Sequence, residues 1–514
     1  MSIPVLYEVQ LNQRGGIMLN SFDYHSSTSY ERGSLGGHYL DWRAKPEPFK
    51  TYEGLEQVHL NREVDYIRRD LMKLLCAPDD EARFEPFVDK EKLAFFLVMT
   101  EALSAEVPSA GGVLYLRSPA SAGALYPTEI YAAVHQAAGL ESGIYHFNPL
   151  DFLLTRLRSG DFRAFLHEVV GKEGDFTQAV TFFFTAIFFR SAWKYRARSY
   201  RYHLLDTGHV VENLVLILKA MGLRYRVLCD FDDDRVNRLL GLDGTGEAAL
   251  SMVSLEGAGQ KPPGGGTEIE DLPASVLNAG RVPAKETDYP LIRLMHESGK
   301  GIYRENYETV NTFFPFKAVP NQFNRIGGVP DGAGLSPYPD CVVLRRSRRE
   351  FIPEPLSKEH LSMFLHALSV SEEQNCLKAL ATGFIAENVR GVEPGVYILD
   401  RENRRTGLVF PGFYTEKMAD VCLNQAWLAG AAVHFLFLAD LELLDAVYGP
   451  RGYRYVMLGA GRMGQRIYAV STAIGLGCCG VGAFYDAEAA ELLGLNQGAR
   501  MLYLVAAGLV DRRG

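Results

Sequence analysis

Apolar residues fall into two kinds of run along this chain, and the two kinds alternate. Long segments in which they return every three or four positions predict helices. Over 200–221, Leu205, Val211, Leu214, Leu216 and Leu218 recur on or near one face, and 453–474 reads in the same way. Shorter, nearly unbroken apolar runs, VTFFFTAIFF at 180–189 and the stretch opening AGAAVHFLFL at 429, predict buried strands. The order of elements occurs twice. A helix (87–103; 356–368) precedes a strand (129–135; about 380–387), and a GxY turn leads to a buried strand (180–189; 431–438). The long helix follows, then a short strand and an acidic-rich helix ending in LLGL. Alternation of this kind implies layered α+β or α/β domains.

The recurrence is a duplication. Residues 198–242 align without a gap on 451–495, at an offset of 253, with 15 of 45 positions identical. Gly143-Ile144-Tyr145 matches Gly395-Val396-Tyr397 at an offset of 252, and 84–97 matches 352–365 at 268. The first half therefore carries about sixteen extra residues between these anchors, in a segment that contains RSPASAGALYPTEI (117–130). Residues 1–60 read as an arm and 61–257 as the first domain. The Pro- and Gly-rich stretch around 258–271 opens a connecting segment to 340, and 341–514 is the second domain.

Composition narrows the classes. At 514 residues the chain has ample length for a core without staples. Seven cysteines without a C-x-x-C pair argue against a disulfide framework or structural zinc and suit a reducing cytoplasm. With 62 acidic and 53 basic residues, net charge -9, the chain lacks the basic balance of a nucleic-acid binder. The start shows no secretory pattern, and the apolar runs are too short or too charged to span a bilayer, so neither nucleic acid nor membrane is an expected partner.

Four stretches can carry chemistry. LRRSRREF (344–351) sets Arg345, Ser347 and Arg349 at alternate positions, forked donors and a hydroxyl suited to a phosphate. A solvated charge cluster fits the spacing too. The duplication, however, places Ala77, Asp79 and Glu81 opposite them, and loss of an anion site in one half accounts for that inversion. PASAGALYP (119–127) holds Ser121, Ala122, Gly123, Ala124 and Leu125, small residues that let a flat ligand approach the backbone, or an ordinary tight loop. GLGCCGVGAFYD (475–486) offers backbone N–H groups at Gly480, Val481 and Gly482, where the first half is bulky, and its spacing is not that of a dinucleotide fingerprint. Lys194 and Tyr195 follow a buried strand; a lysine there can move a proton or simply face solvent at a helix start, and the second half has Val447-Tyr448 instead. No histidine pattern for metal, no G-x-S-x-G and no P-loop is present.

Together these stretches, with YHSSTSYERGSLGGHYLDW (24–42), PEPFKTY (46–52), GIYHFNP (143–149) and KYRARSYRYHLLDTGH (194–209), resemble the nitroreductase superfamily in its SagB-type dehydrogenase branch. The resemblance implies two fused nitroreductase-like α/β sandwich domains. It also implies FMN held between α+β subunits, with the R-x-S-x-R segment and glycine turn from one and the small-residue loop from the other. A basic residue at the C-terminus, here Arg512, is implied to add a phosphate contact. Since the first half keeps the loop and Lys194-Tyr195 while the second keeps the arginines and glycines, the expectation is an intramolecular pseudo-dimer with one complete FMN site of two. Further oligomerisation is left open. A nicotinamide, NADH or NADPH, is the implied reductant in the nitroreductase reading. In azoline oxidases a Lys-Tyr pair is implied to assist proton removal from a modified peptide, and Lys194-Tyr195 matches it. Small-molecule and modified-peptide substrates both remain, as does a non-catalytic flavin-binding or scaffold subunit.

Overall fold

The computed structural model of the chain describes residues 10–11, 17–35, 39–63, 68–76, 88–109, 112–135, 137–171, 178–257, 268–280, 286–301, 313–329, 335–369 and 375–511. Each half builds a seven-stranded antiparallel sheet. In the first, β1 (Gln57–His59), β2 (Thr128–Val134), β3 (Gly143–Asn148), β4 (Leu153–Ser159), β5 (Gln178–Ile187), β6 (Tyr225–Leu228) and β7 (Glu247–Glu256) lie in the order β6-β7-β5-β2-β3-β4-β1. In the second, β8 (Phe323–Arg325), β9 (Ala381–Ala386), β10 (Gly395–Asp400), β11 (Arg405–Pro411), β12 (Val433–Asp440), β13 (Gly477–Val481) and β14 (Ala499–Gly508) lie in the order β13-β14-β12-β9-β10-β11-β8. Matched strand for strand, the two orders are the same. The duplication thus covers both halves. Every residue of β5 is buried, which is why its sequence lacks the polar alternation of a half-exposed strand.

Local signals explain the helix starts. The duplicated helices Lys90–Glu101 and Lys358–Leu368 each begin on a side-chain cap, Asp89 accepting from Lys92 N at 2.7 Å and Ser357 from His360 N at 3.2 Å. The GxY segments, expected as turns, open strands instead. A Cβ on Gly143 would meet the Arg158 carbonyl oxygen at 2.3 Å, and one on Gly395 the Phe410 oxygen at 2.4 Å. These glycines allow close approach of the neighbouring strand rather than a reversal of the chain.

Five helices set the geometry of the centre: α1 (Ser21–Ser27), α2 (Phe188–Tyr195), α3 (Ser199–Ala220), α4 (Pro290–Ser298) and α5 (Arg451–Ala473). The long helices α3 and α5 cross with almost no room between their backbones. A Cβ on Gly208 would lie 2.3 Å from the Leu458 carbonyl oxygen, and one on Gly461 would lie 2.1 Å from that of Leu205. Gly208 and Gly461 are equivalent in the duplication, as are Leu205 and Leu458, so the contact is reciprocal about a pseudo-two-fold axis. Ion pairs repeat the exchange. Asp486 receives Arg198 at 2.7 Å and Arg201 at 2.6 Å, while the equivalent Asp233 receives Arg451 at 2.5 Å and Arg454 at 2.6 Å.

The arm and the connecting segment also exchange. α1, from the arm, lies on the second half: Asp445 accepts from Ser21 N at 2.9 Å, and the His25 ring meets the Tyr453 hydroxyl at 3.0 Å. α4, from the stretch read as a connecting segment, sets His296 3.3 Å from the Tyr200 hydroxyl, the equivalent tyrosine. Burial and the Arg201 guanidinium push His25 down to about 3, so it is a neutral hydrogen-bonding group at any ordinary pH. Among the described residues no helix is long and apolar enough to cross a membrane, no cluster suits a metal ion, and the six described cysteines are free.

Candidate active site at the crossing of the halves

One cleft opens beside the α3–α5 crossing. It is partly open to solvent. All four stretches singled out by sequence contribute to its lining: Ser121, Ala122 and Gly123 with Tyr195 from the first half, and Ser347, Arg349, Gly480, Val481 and Gly482 from the second.

The small-residue loop holds a strained backbone. Gly123 has φ 66°, Ala124 53° and Tyr126 46°, two of the three without the freedom of glycine. Its fold is pinned from two sides. Ser121 Oγ accepts from Tyr126 N at 2.9 Å and donates to the Asp206 carboxylate at 2.6 Å, and Ala122 N donates to both Asp206 oxygens at 3.1 and 3.2 Å. Behind the loop, buried Arg190 donates to the Tyr126 carbonyl at 3.1 Å and pairs with Glu129. A Cβ on Gly123 would lie 2.7 Å from the Tyr195 hydroxyl and 3.1 Å from Lys194 Nζ. The glycine is what lets the Lys-Tyr pair sit directly on the loop.

Lys194 and Tyr195 end α2 rather than start a helix. Lys194 is half-buried, and burial together with the Arg349 guanidinium lowers its pKa below the usual lysine range. Tyr195 is held well above the phenol range by burial, and its ring meets that of Tyr202 at 4.6 Å. Among the described residues neither Lys194 nor Arg349 forms an ion pair, which leaves two uncompensated cations at the cleft.

The arginine-rich segment runs along the free edge of β13, Arg348 N donating to the Cys478 carbonyl at 2.9 Å. Gly480, expected in a turn, lies within β13, where a Cβ would fall 1.8 Å from the Tyr503 hydroxyl. Its N–H donates to the Tyr468 hydroxyl at 2.8 Å, and that hydroxyl bonds Ser347 Oγ at 2.9 Å. Arg345 is buried. Nε donates to the Ser118 carbonyl at 2.5 Å and Nη2 to that of Arg117 at 3.2 Å, while Nη1 has no hydrogen-bond acceptor. It therefore joins the second half to the foot of the small-residue loop and keeps one donor spare. Arg345, Lys194, Ala124 and Leu125 lie off the cleft lining. Arg512, and the Ala77, Asp79 and Glu81 set against the arginines, lie outside the described residues.

Sequence reasoning passed over Asp206, Tyr468 and Tyr503. His209 is satisfied, by Gln465 at 2.8 Å and Tyr503 at 3.1 Å, and burial pushes it down to about 4; yet it lines the cleft. Asp206, with no cation beside it, is pushed up to about 7 by burial. The duplication held the signal for these residues: Asp206 stands opposite Gly459, His209 opposite Arg462 and Tyr468 opposite Val215.

Comparison with known proteins agrees with this architecture. The nitroreductase family model matches residues 84–257 and again 342–509. A protein of Methanocaldococcus jannaschii described as a "putative nitroreductase" is 34% identical over 167 residues, 31% of this chain and 84% of that protein. The microcin B17-processing protein McbC of Escherichia coli is 29% identical over 164 residues, 30% of this chain and 60% of its own length. The trifolitoxin-processing protein TfxB of Rhizobium leguminosarum is 33% identical over 137 residues, 26% of this chain and 37% of its own length. The crystal structure of a nitroreductase homologue from Anabaena variabilis shares the fold along nearly the full length, with TM-score 0.76, 24% identity, and 95% of this chain and 99% of that one covered. With the same domain found twice over two sheets of one topology, the chain belongs to the nitroreductase family and is a tandem duplication of its domain.

Proposed function

We propose that the cleft binds one FMN and that the chain is an FMN-dependent oxidoreductase acting in the cytoplasm. The observation that carries this reading is the convergence of complementary halves. The small-residue loop and Lys194-Tyr195 occur only in the first half and Ser347, Arg349 and Gly480–Gly482 only in the second, yet Ser121–Gly123, Tyr195 and the second-half residues border one cleft, with Lys194 beside Gly123. The donor set fits the group: Ser347, Arg349 and the spare Nη1 of Arg345 suit a phosphate, and Ser121, Ala122 and Gly123 present little side chain to a flat ring. FMN supplies two-electron redox chemistry when bound. The chain's own residues orient it, limit water, and move a proton at Lys194 Nζ, which partial burial and Arg349 make a readier proton donor than a free lysine.

A second reading, oxidation of thiazoline or oxazoline rings in a modified peptide, is favoured by the Lys194-Tyr195 pair lying against the loop and by similarity to two proteins named for peptide processing. NADH or NADPH would serve as reductant in the nitroreductase reading. A non-catalytic subunit would bind FMN and do neither. The deciding experiment follows flavin absorbance of the purified chain, first with each nicotinamide, then anaerobically with a thiazoline-bearing peptide. Bleaching by a nicotinamide supports the reductase and bleaching by the peptide the oxidase. Bound flavin that neither bleaches marks a scaffold, and a chain that binds no FMN overturns the proposal.

A further inference from the structure

Asp206 is built into the cleft in a way the proposed flavin reading leaves unexplained, and the role assigned to it below rests on that reading. Its carboxyl is buried on α3 and lines the cleft with Ser121. It takes the Ser121 hydroxyl at 2.6 Å and the Ala122 N–H at 3.1 Å. The other ionisable groups facing it are Tyr195 at the end of α2, Tyr503 on β14, and Tyr202 and His209 on α3 itself, with Arg349 also lining the cleft and Lys194 beside Gly123. Among the described residues no cation pairs with it. The equivalent residue of the second half is Gly459.

We propose that Asp206 sets the direction of the Ser121 hydroxyl, and so decides whether the loop offers a hydrogen-bond donor to the cleft. Ser121 Oγ has one hydrogen and two lone pairs. One lone pair is committed to Tyr126 N at 2.9 Å. With Asp206 ionised, the Ser121 hydrogen points at the carboxylate. When Asp206 takes up a proton from water, its new O–H donates to the second lone pair of Oγ. The Ser121 hydrogen must then leave the carboxyl and take the remaining tetrahedral direction, into the cleft that Ser121 lines. Only the O–H bond to Asp206 is formed. The ligand that would sense the change is a planar ring carrying acceptor nitrogens or carbonyl oxygens, and a ring that gains electrons on reduction favours the donor state.

Both states are populated near neutrality because burial pushes Asp206 up to about 7. His209, down at about 4, stays neutral there, and the raised tyrosines stay protonated. Lys194, lowered by burial and Arg349, is told apart by its own variant. The linkage sign is set by a folded-state pKa above the unfolded one. The folded chain holds this proton more tightly, so stability from this group is full below the ordinary carboxylate range and declines as pH rises to about 7.

Two measurements test the proposal, and the first needs no flavin. Infrared difference spectra of the flavin-free full chain across a pH titration should show a carboxylic-acid carbonyl band disappearing near pH 7. One such band should be lost in Asp206→Asn and retained in Ser121→Ala and Lys194→Met, which separates it from that of Glu101, a carboxyl that burial also pushes up to about 7. The second is FMN affinity as the ratio of wild type to variant at each pH, which cancels ionisation of the ligand's own phosphate. The side-chain amide introduced by Asp206→Asn donates to Ser121 Oγ permanently, so this variant should match wild type at pH 6 and exceed it about three- to tenfold at pH 8, the worth of one hydrogen bond. Ser121→Ala should instead match wild type at pH 8 and fall short by the same factor at pH 6. No band near pH 7 that Asp206→Asn removes, or an unchanged ratio across pH for both variants, overturns the proposal. A wild type that shows the band but binds no FMN overturns the flavin reading and leaves the Asp206–Ser121 couple standing.

Discussion

Arg345 and Arg349 belong to one motif and are placed differently. Arg345 is buried, with two donors on the Ser118 and Arg117 carbonyls and a third without an acceptor; Arg349 is exposed at the cleft. Arg345→Ala should therefore both weaken FMN binding and lower stability by about 2–4 kcal/mol, since two buried carbonyls lose charged donors. Arg349→Ala should weaken FMN binding by about tenfold with stability within about 0.5 kcal/mol of wild type. Together they should lower affinity by a factor on the order of 10² or more. Fluorescence titration with FMN beside urea unfolding separates the two effects, and equal stability losses would contradict the division. Lys194→Met should keep FMN and cut turnover by about 10²–10⁴-fold, with Tyr195→Phe costing less. Near-normal rates with any accepted substrate would return Lys194 to an ordinary helix-end lysine.

At the scale of elements, glycine explains most of what local pattern could not. Gly208 and Gly461 fix the distance between α3 and α5, and the cleft takes Asp206 and His209 from one helix and Tyr468 from the other. Gly208→Ala should push the helices apart, at a cost of about 1–3 kcal/mol or more, because the methyl meets a backbone carbonyl rather than a movable side chain. FMN affinity should fall with it, which a melting curve with and without FMN would register. The long helices and buried strands were legible because apolar periodicity is a local property and the duplication doubled the signal. Three features were not. The GxY glycines answer to the neighbouring strand and Gly480 to Tyr503, contacts that no local pattern around the glycine marks. The crossing of α1 and α4 onto opposite halves depends on Tyr453 and Tyr200, and nothing local in a short helix announces its dock. The site was half legible. Motifs named the loop, the arginine segment and the Lys-Tyr pair, while Asp206, Tyr468 and Tyr503 sit in helix and strand interiors where a polar residue reads as structure.

Across the axis between the halves, the backbone contact at Gly208 and Gly461 and the arginine pairs on Asp486 and Asp233 each occur twice, and the cleft does not. In the place equivalent to the neutral His209–Gln465 pair, Arg462 and Arg466 hold Glu212 at 2.8 and 2.6 Å, all three fully buried. A buried Arg–Glu–Arg group is costly to break from either side. Glu212→Gln removes the carboxylate that both buried guanidiniums share and should lower stability by about 3–5 kcal/mol, measured by urea unfolding, without lowering FMN content. The same group occupies ground that a second ligand would need. Around it, Tyr468, Asp206 and Gly480 are replaced by Val215, Gly459 and Val227, so the second place lacks the hydroxyl, the loop clamp and the glycine of the edge strand together. It also lacks the small-residue loop, which belongs to the first half alone. These losses are complementary rather than scattered, the outcome expected if one site was kept whole and the other was filled with structural side chains. The purified chain should then carry one FMN per chain at saturation, counted by release of flavin against protein concentration. A value near two would show that the Arg462–Glu212–Arg466 group does not close the second place, and would overturn the single-site reading while leaving the fold untouched.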